Sequence, residues 1–325
     1  MSVLVTGATG FLGSEIVSEL FRRGVPRVEG WGRDLAKVED LRVRFSDQGD
    51  RLRVRKVDLL DPPSVSPAID AVIHAAALRP DGRPHSQAEF DRLNVVGTQQ
   101  LIDQAVHAGV KRFLYISTQA VYGVSGAPWT EGSLGNPETP YARSKWEGEA
   151  RVLDSTIACR GIVRLSRLYG VTSCTRWDEL PGRFARRVFD GAPLPIHGDG
   201  TQRIDLLHVR DAARAIAELA FAEGLPDSFA FNVGSGRSCS LNELAGIYAR
   251  SAPRYGFPPV RVTHDRDRSP SGGAHFELCT AAIEEALGWR ARVPLEQGIA
   301  EYLDALAAGD YDEERGGVGG KEITV

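Results

Sequence analysis

Cysteine is scarce in this chain: Cys159, Cys174, Cys239 and Cys279 are the four among 325 residues, and no two stand as a CxxC pair. A disulfide scaffold and a zinc knuckle are therefore not expected, and a reduced cytoplasm is the expected setting. No apolar run reaches the roughly 18 residues that a membrane-crossing helix needs. Neither sign of charge dominates, with 39 Lys+Arg against 43 Asp+Glu and a net charge of −4, so nucleic acid is not the expected partner. The first residues, Met1 to Gly13, lack the basic start and apolar core of a signal peptide. No internal repeat is visible. What remains is an ordinary globular composition, 42% hydrophobic and 25% charged, long enough for one large domain or two smaller ones.

A regular alternation runs through the first half. Val3 to Thr6 reads as a strand that stops at Gly7, and Phe11 to Leu20 carries apolar residues at helical spacing until Gly24. The pattern recurs: strands at Arg27 to Trp31, Leu52 to Val57, Ala71 to Ala75, Arg112 to Ser117 and Ile162 to Leu165, with helices at Asp34 to Phe45, Glu89 to Ala108 and Pro140 to Asp154. Strands separated by helices predict an α/β fold of Rossmann type, a doubly wound parallel sheet covered on both faces. After Tyr169-Gly170 prolines interrupt shorter elements. Residues 1–170 are accordingly expected to form a dinucleotide-binding domain and 171–307 a smaller C-terminal substrate-binding lobe with some segments returning to the sheet. Residues 308–325, rich in Gly, Asp and Glu, are expected to be a mobile tail.

Thr6-Gly7-Ala8-Thr9-Gly10-Phe11-Leu12-Gly13 places three glycines as GxxGxxG between the first strand and the first helix. Such a turn lets phosphate approach the backbone and meet the unpaired N–H groups of the helix start. Gly7, Thr9, Gly10, Phe11, Leu12 and Gly13 are thus the expected dinucleotide cradle. At the end of the second strand an acidic residue binds the 2′-hydroxyl of NAD, whereas a basic one accommodates the 2′-phosphate of NADP. Here Gly32 stands in the acidic position and Arg33 follows, which favours NADP and leaves NAD possible.

Tyr141 and Lys145 stand at i and i+4, one helix face if Pro140 to Asp154 is helical. A phenol is a weak acid-base group at neutral pH, and a nearby ammonium favours its phenolate. The strand end Tyr115-Ile116-Ser117-Thr118 lies where open α/β sheets receive ligands, so Thr118, supported by Ser117, is placed to share a substrate oxygen with Tyr141.

Together these residues resemble the extended short-chain dehydrogenase/reductase family, the group of NAD(P)-dependent nucleotide-sugar epimerases, dehydratases and ketoreductases, over nearly the whole chain to Ala307. The matching stretches include TGATGFLG at Thr6 to Gly13, VDLLD at Val57 to Asp61, AVIHAAA at Ala71 to Ala77, NVVGT at Asn94 to Thr98, YISTQAVYG at Tyr115 to Gly123 and PYARSK at Pro140 to Lys145. Further matches are RLSRLYG at Arg164 to Gly170, LPIHGDGTQ at Leu194 to Gln202 and LLHVRDAARA at Leu206 to Ala215. The resemblance implies Asp58 and Leu59 at the adenine, Ala75, Ala76 and Ala77 along the dinucleotide, and Asn94 and Ser117 among the cofactor contacts. It implies Tyr141, Lys145 and Thr118 as the catalytic trio, and a homodimer packed through the helices of Asn94 and Tyr141. His74 is expected to pack at a strand end, and no histidine has metal-ligand spacing.

Dehydratases of this family carry acidic residues just after the strand-end Ser/Thr; this chain has Gln119 and Ala120, which disfavours water elimination. Net reduction of a keto-sugar at C4 is the expected reaction, with a nucleotide-sugar 4-epimerase holding NAD tightly as the alternative. Relatives that bind nucleotide diphosphates place an Arg before the Asp of the segment that here reads Gln202-Arg203-Ile204-Asp205. Ile204 occupies that place, and Arg203, Arg183 and Arg268 are the candidate substrate contacts instead. A dehydrogenase of hydrophobic alcohols would predict an apolar second lobe, whereas Arg176, Arg183, Arg186 and Arg187 suggest an anionic ligand or a basic helix face. A non-catalytic cofactor sensor on the same fold would not need Tyr141 and Lys145.

Overall fold

The computed structural model describes residues 1–124, 126–265 and 275–309. Strand β1 (Ser2–Thr6) leads through the glycine turn into helix α1 (Phe11–Arg22), followed by β2 (Arg27–Gly32), α2 (Leu35–Arg44), β3 (Leu52–Lys56) and β4 (Ala71–His74). Next come α3 (Gln87–Asp91), α4 (Gly97–His107), β5 (Arg112–Thr118), α5 (Pro140–Leu153) and β6 (Cys159–Leu165). The strand Ser228–Val233 pairs with β6, and the seven-stranded order is then β6, β5, β4, β1, β2, β3. Every pairing in this sheet is parallel, as the alternation of strands and helices predicts.

Both faces of the sheet are covered. Val3 and Val5 pack with α1 and with helix α7 (Val209–Phe221), while Leu4 packs on the other face with Leu101, Phe113 and Val152. All three β1 side chains are fully buried, each contributing roughly 1.5–3 kcal/mol of apolar burial. A separate apolar cluster lies beyond the sheet, formed by α6 (Leu180–Phe189), Leu241–Ser251 and Leu295–Ala307 through Phe184, Leu244 and Leu303.

Local chemistry sets the helix ends. The side chain of Asp34 accepts from the Lys37 N–H and caps α2, and Thr139 caps α5, whose first residue is Pro140. The helix expected from Glu89 to Ala108 is broken into α3 and α4 by a π-helical stretch, Arg92–Val96. Asn94 sits in that stretch and bridges the Leu78 backbone: its Oδ1 accepts from Leu78 N at 2.7 Å and its Nδ2 donates to Leu78 O at 2.9 Å. Single π turns inside helices commonly re-aim one side chain. Among the described residues no helix is long and apolar enough to cross a membrane, and no group of three or more His, Cys, Asp or Glu is arranged to hold a metal.

Candidate active site

The carboxyl ends of the parallel strands open into a cleft of about 1060 Å³. Its floor is the glycine turn. Gly7 has φ +69°, and a Cβ there would stand 2.8 Å from Ala76 N; a Cβ on Gly13 would stand 2.0 Å from Gly7 O. Only hydrogen fits at either place, so β1, α1 and the end of β4 approach at backbone distance. Gly10 begins α1 with extended dihedrals and gives it no side-chain cap. The first-turn N–H groups are left for an anion, which the helix dipole also favours. A dinucleotide pyrophosphate fits this cradle.

At the end of β2 a Cβ on Gly32 would stand 2.5 Å from the side chain of Thr9, so no carboxylate can occupy that position. Glu29 is buried and holds Trp31 Nε1 at 2.7 Å and Arg55 at 3.3 Å, and Asp34 caps α2. Arg33 is exposed on the cleft wall beside Lys37. Asp58 lines the same end and accepts from Leu60 N at 3.0 Å.

The other end of the cleft joins β5, α5 and the loops after β4 and Tyr169. Ser117, Thr118, Tyr141 and Lys145 all line it. Burial raises the Tyr141 phenol above its ordinary value; Arg176, then Arg79, then a hydrogen bond with Thr118 act in the opposite direction. Here the structure departs from the expectation that the neighbouring ammonium leads in favouring phenolate. Lys145 shares the helix face with Tyr141, but its Nζ lies 3.8 Å from the centre of the Tyr115 ring. Burial pulls Lys145 down to about 7, opposed by Glu149 one turn further along α5.

Glu149 anchors a buried polar network behind this wall. It accepts from Ser117 Oγ at 2.5 Å and from Arg164 through both carboxylate oxygens, with Arg164 Nη2 at 2.7 Å. Arg164 Nη1 donates in turn to the Tyr122 hydroxyl at 2.8 Å, and Tyr122 donates to Asn232 Oδ1 at 2.7 Å. His74 is enclosed between Thr6 Oγ1 at 2.6 Å and Thr98 Oγ1 at 2.9 Å. Burial, with Lys145 adding to it, lowers His74 to about 3 and keeps it neutral.

Most residues singled out in the sequence converge on this cleft: the cradle, Gly32 and Arg33, Asp58 and Leu59, Ala75 to Ala77, Ser117, Thr118, Tyr141 and Lys145. Three are placed elsewhere. Asn94 is 1% exposed and engaged with Leu78 and Ser144, so it shapes the wall rather than lining it. Arg203 donates through Nε to Ser238 Oγ at 2.9 Å and through Nη2 to Ser238 O at 2.5 Å, outside the cleft lining. Arg183 is likewise outside the lining, on the first turn of α6. Arg268 lies outside the described residues. Ile204 is buried in the apolar cluster beyond the sheet. Arg79 and Glu179 were missed in the sequence because neither belongs to a periodic or glycine-rich pattern; only folding brings their two loops together.

The profile of the NAD dependent epimerase/dehydratase family matches residues 3–234. The chain is 32% identical to the dTDP-glucose 4,6-dehydratase of Streptomyces niveus, over 94% of this chain and 92% of that protein. It is 29% identical to the UDP-glucose 4-epimerase of Mycolicibacterium smegmatis, over 94% and 98%. Among solved structures, MoeE5 in complex with UDP-glucose and NAD superposes with a TM-score of 0.77 at 30% identity, covering 96% of this chain and all of that one.

Proposed function

Because the chain belongs to the NAD-dependent epimerase/dehydratase family, we propose that it is an oxidoreductase acting on a sugar or nucleotide sugar, reducing a keto group at C4 with NADPH. The observation that carries this reading is the meeting of Tyr141 and Thr118 at the open end of the sheet, above the glycine cradle. The cradle, Arg33 and Asp58 would hold a nicotinamide dinucleotide, whose chemistry is hydride exchange with a carbinol or carbonyl carbon. Thr118 holds the substrate oxygen by a hydrogen bond. Tyr141 gives that oxygen its proton in the reducing direction and takes it back in the other. Lys145 orients the substrate side of the cofactor, and Glu149 opposes loss of its charge.

Several relatives are named dehydratases, and their reaction needs an acid and a base beside the reacting carbons. Directly after Thr118 this cleft offers the amide of Gln119 and the methyl of Ala120. Glu138 and Glu179 line the cleft from other segments, and Glu179 is engaged by arginines. Those facts support hydride transfer without elimination. A 4-epimerase with retained NAD is the second reading, favoured by the NAD and UDP-glucose in the solved relative MoeE5. The four cysteines are unpaired, which fits work in a reduced cytoplasm. Exposed Val96, Val106 and Leu153 around α4 and α5 suit a homodimer across these helices; a single-chain mass by light scattering would exclude it.

Nucleotide sugars and their 4-keto derivatives, offered with NADPH or NAD, test the reading through nicotinamide absorbance and product chromatography. Consumption of NADPH with a new carbinol supports it; epimer formation without net cofactor change replaces it with the second reading. Tyr141→Phe should lower turnover by about 10²–10⁴-fold while cofactor affinity stays within about twofold. Retention of most activity by that variant overturns the role of Tyr141.

A further inference from the structure

Two arginines and one glutamate meet beside the phenol. Arg79 lies in the loop after β4, and Arg176 and Glu179 precede α6. One oxygen, Glu179 Oε1, faces both cations, at 3.3 Å from Arg79 Nη1 and 3.8 Å from Arg176 Nη1. The second distance is too long for a hydrogen bond. Among the described residues no other carboxylate stands within ion-pair distance of Arg176, and Asp178 acts on its charge from further off; its guanidinium lies over the Phe11 ring, 4.8 Å from the centroid.

With Asp178 beside Arg176, and Arg183 facing the same two carboxylates, the cluster holds three guanidinium groups against two carboxylates and lacks one negative charge. The side chains are only 24% and 36% exposed for Arg176 and Arg79, and both line the cleft. A guanidinium has five donors in a planar fork matched to a carboxylate. Partial burial makes an unpaired fork costly, and an incoming anion gains correspondingly. A neutral sugar offers hydroxyls that leave the excess charge in place. A substrate carboxylate balances it, giving three cations and three anions. These arginines are the leading charges acting on the Tyr141 oxygen, so the anion they receive lies close to the reacting carbon.

We propose that Arg79 and Arg176 form the seat of a substrate carboxylate, so that the preferred substrate is an acidic sugar of the uronic type rather than its neutral counterpart. The proposal rests on the reading of Tyr141 as the group at the reacting carbon, and it names the substrate class for that site. It also accounts for Ile204: an anchoring charge on the sugar lessens the need for an arginine at the diphosphate.

Calorimetric titration of the NADP-loaded protein with UDP-glucuronic acid and with UDP-glucose tests this by binding alone. The acid should bind at least about tenfold more tightly. Arg176→Gln and Arg79→Gln should each remove most of that preference, with affinity for UDP-glucose and for NADP changed less than about twofold. Equal affinity for the two sugars, preference for the neutral one, or no binding of the acid overturns the proposal. So does Arg176→Gln weakening NADP as much as the acid, because the arginines would then serve the dinucleotide phosphates. Tyr141→Phe separates the two claims: it should lose turnover and keep the acid preference. A variant that keeps both refutes the hydride-transfer role alone.

Discussion

Glu149→Gln probes the polar network behind helix α5. The amide preserves the shape of the side chain and an acceptor for Ser117 Oγ, but it removes the charge that Arg164 meets through both carboxylate oxygens. The two side chains are 8% and 4% exposed for Arg164 and Glu149, so water cannot replace the lost partner. Removing one member of a buried ion pair costs about 3–5 kcal/mol. The remaining carbonyl and the Tyr122 hydroxyl still accept from Arg164, which places the expected loss near the lower figure, about 3 kcal/mol. For a chain of 325 residues, the usual unfolding entropy of about 2.1 cal/mol/K per residue converts that into a Tm lower by roughly 4 °C. Scanning calorimetry and urea titration read this directly, and a loss below about 1 kcal/mol would falsify the assignment of Arg164 and Glu149 as a tightly coupled pair. The same substitution removes the anion that opposes the downward pull of burial on Lys145, whose value stands at about 7. If the charged Lys145 is the active form, the alkaline limb of the kcat/KM profile moves to lower pH. A destabilised variant with an unchanged limb would limit Glu149 to support of the fold.

Two further outcomes follow from the same geometry. NADP should bind more tightly than NAD, and Arg33→Ser should remove an advantage of about 1.5–3 kcal/mol; equal or reversed affinities in the unaltered protein would retire Arg33 as a phosphate partner. His74, held neutral with a folded value of about 3 against an ordinary 6.5, makes stability depend on acid. The unfolded chain binds this proton below about 6.5 and the folded chain does not until about 3, so stability present above that window falls as pH drops through it, by several kcal/mol at full extent. Denaturant titrations across that range check this contribution, and a slope unaffected by His74→Gln would show that other groups govern the acid limb.

The glycine-turn end of the cleft was legible in the sequence because its signals are local. Gly7, Gly10 and Gly13 lie within one turn between a strand and a helix, where backbone sterics permit little else, and Gly32 with Arg33 follows at the end of the next strand. The i, i+4 placement of Tyr141 and Lys145 was legible for the same reason: helix geometry puts them on one face. Their partners were not. Whether Lys145 turns to Tyr141 or to the Tyr115 ring depends on β5 packing against α5, and Asn94 meets the Leu78 backbone from within a π-helical stretch that no spacing in the sequence marks.

Local pattern determined the alternation of strands and helices, the glycine cradle and the hydroxyl, phenol and amine at the open sheet edge, since each follows from steric and periodic rules acting over a few residues. Tertiary structure alone decided the charge of the cleft. Arg79 and Glu179 stand 100 positions apart, and only the folding of two separate loops over the sheet brings them, with Arg176, to the phenol. Electrostatic balance is a property of distances through space, which spacing along the chain does not encode.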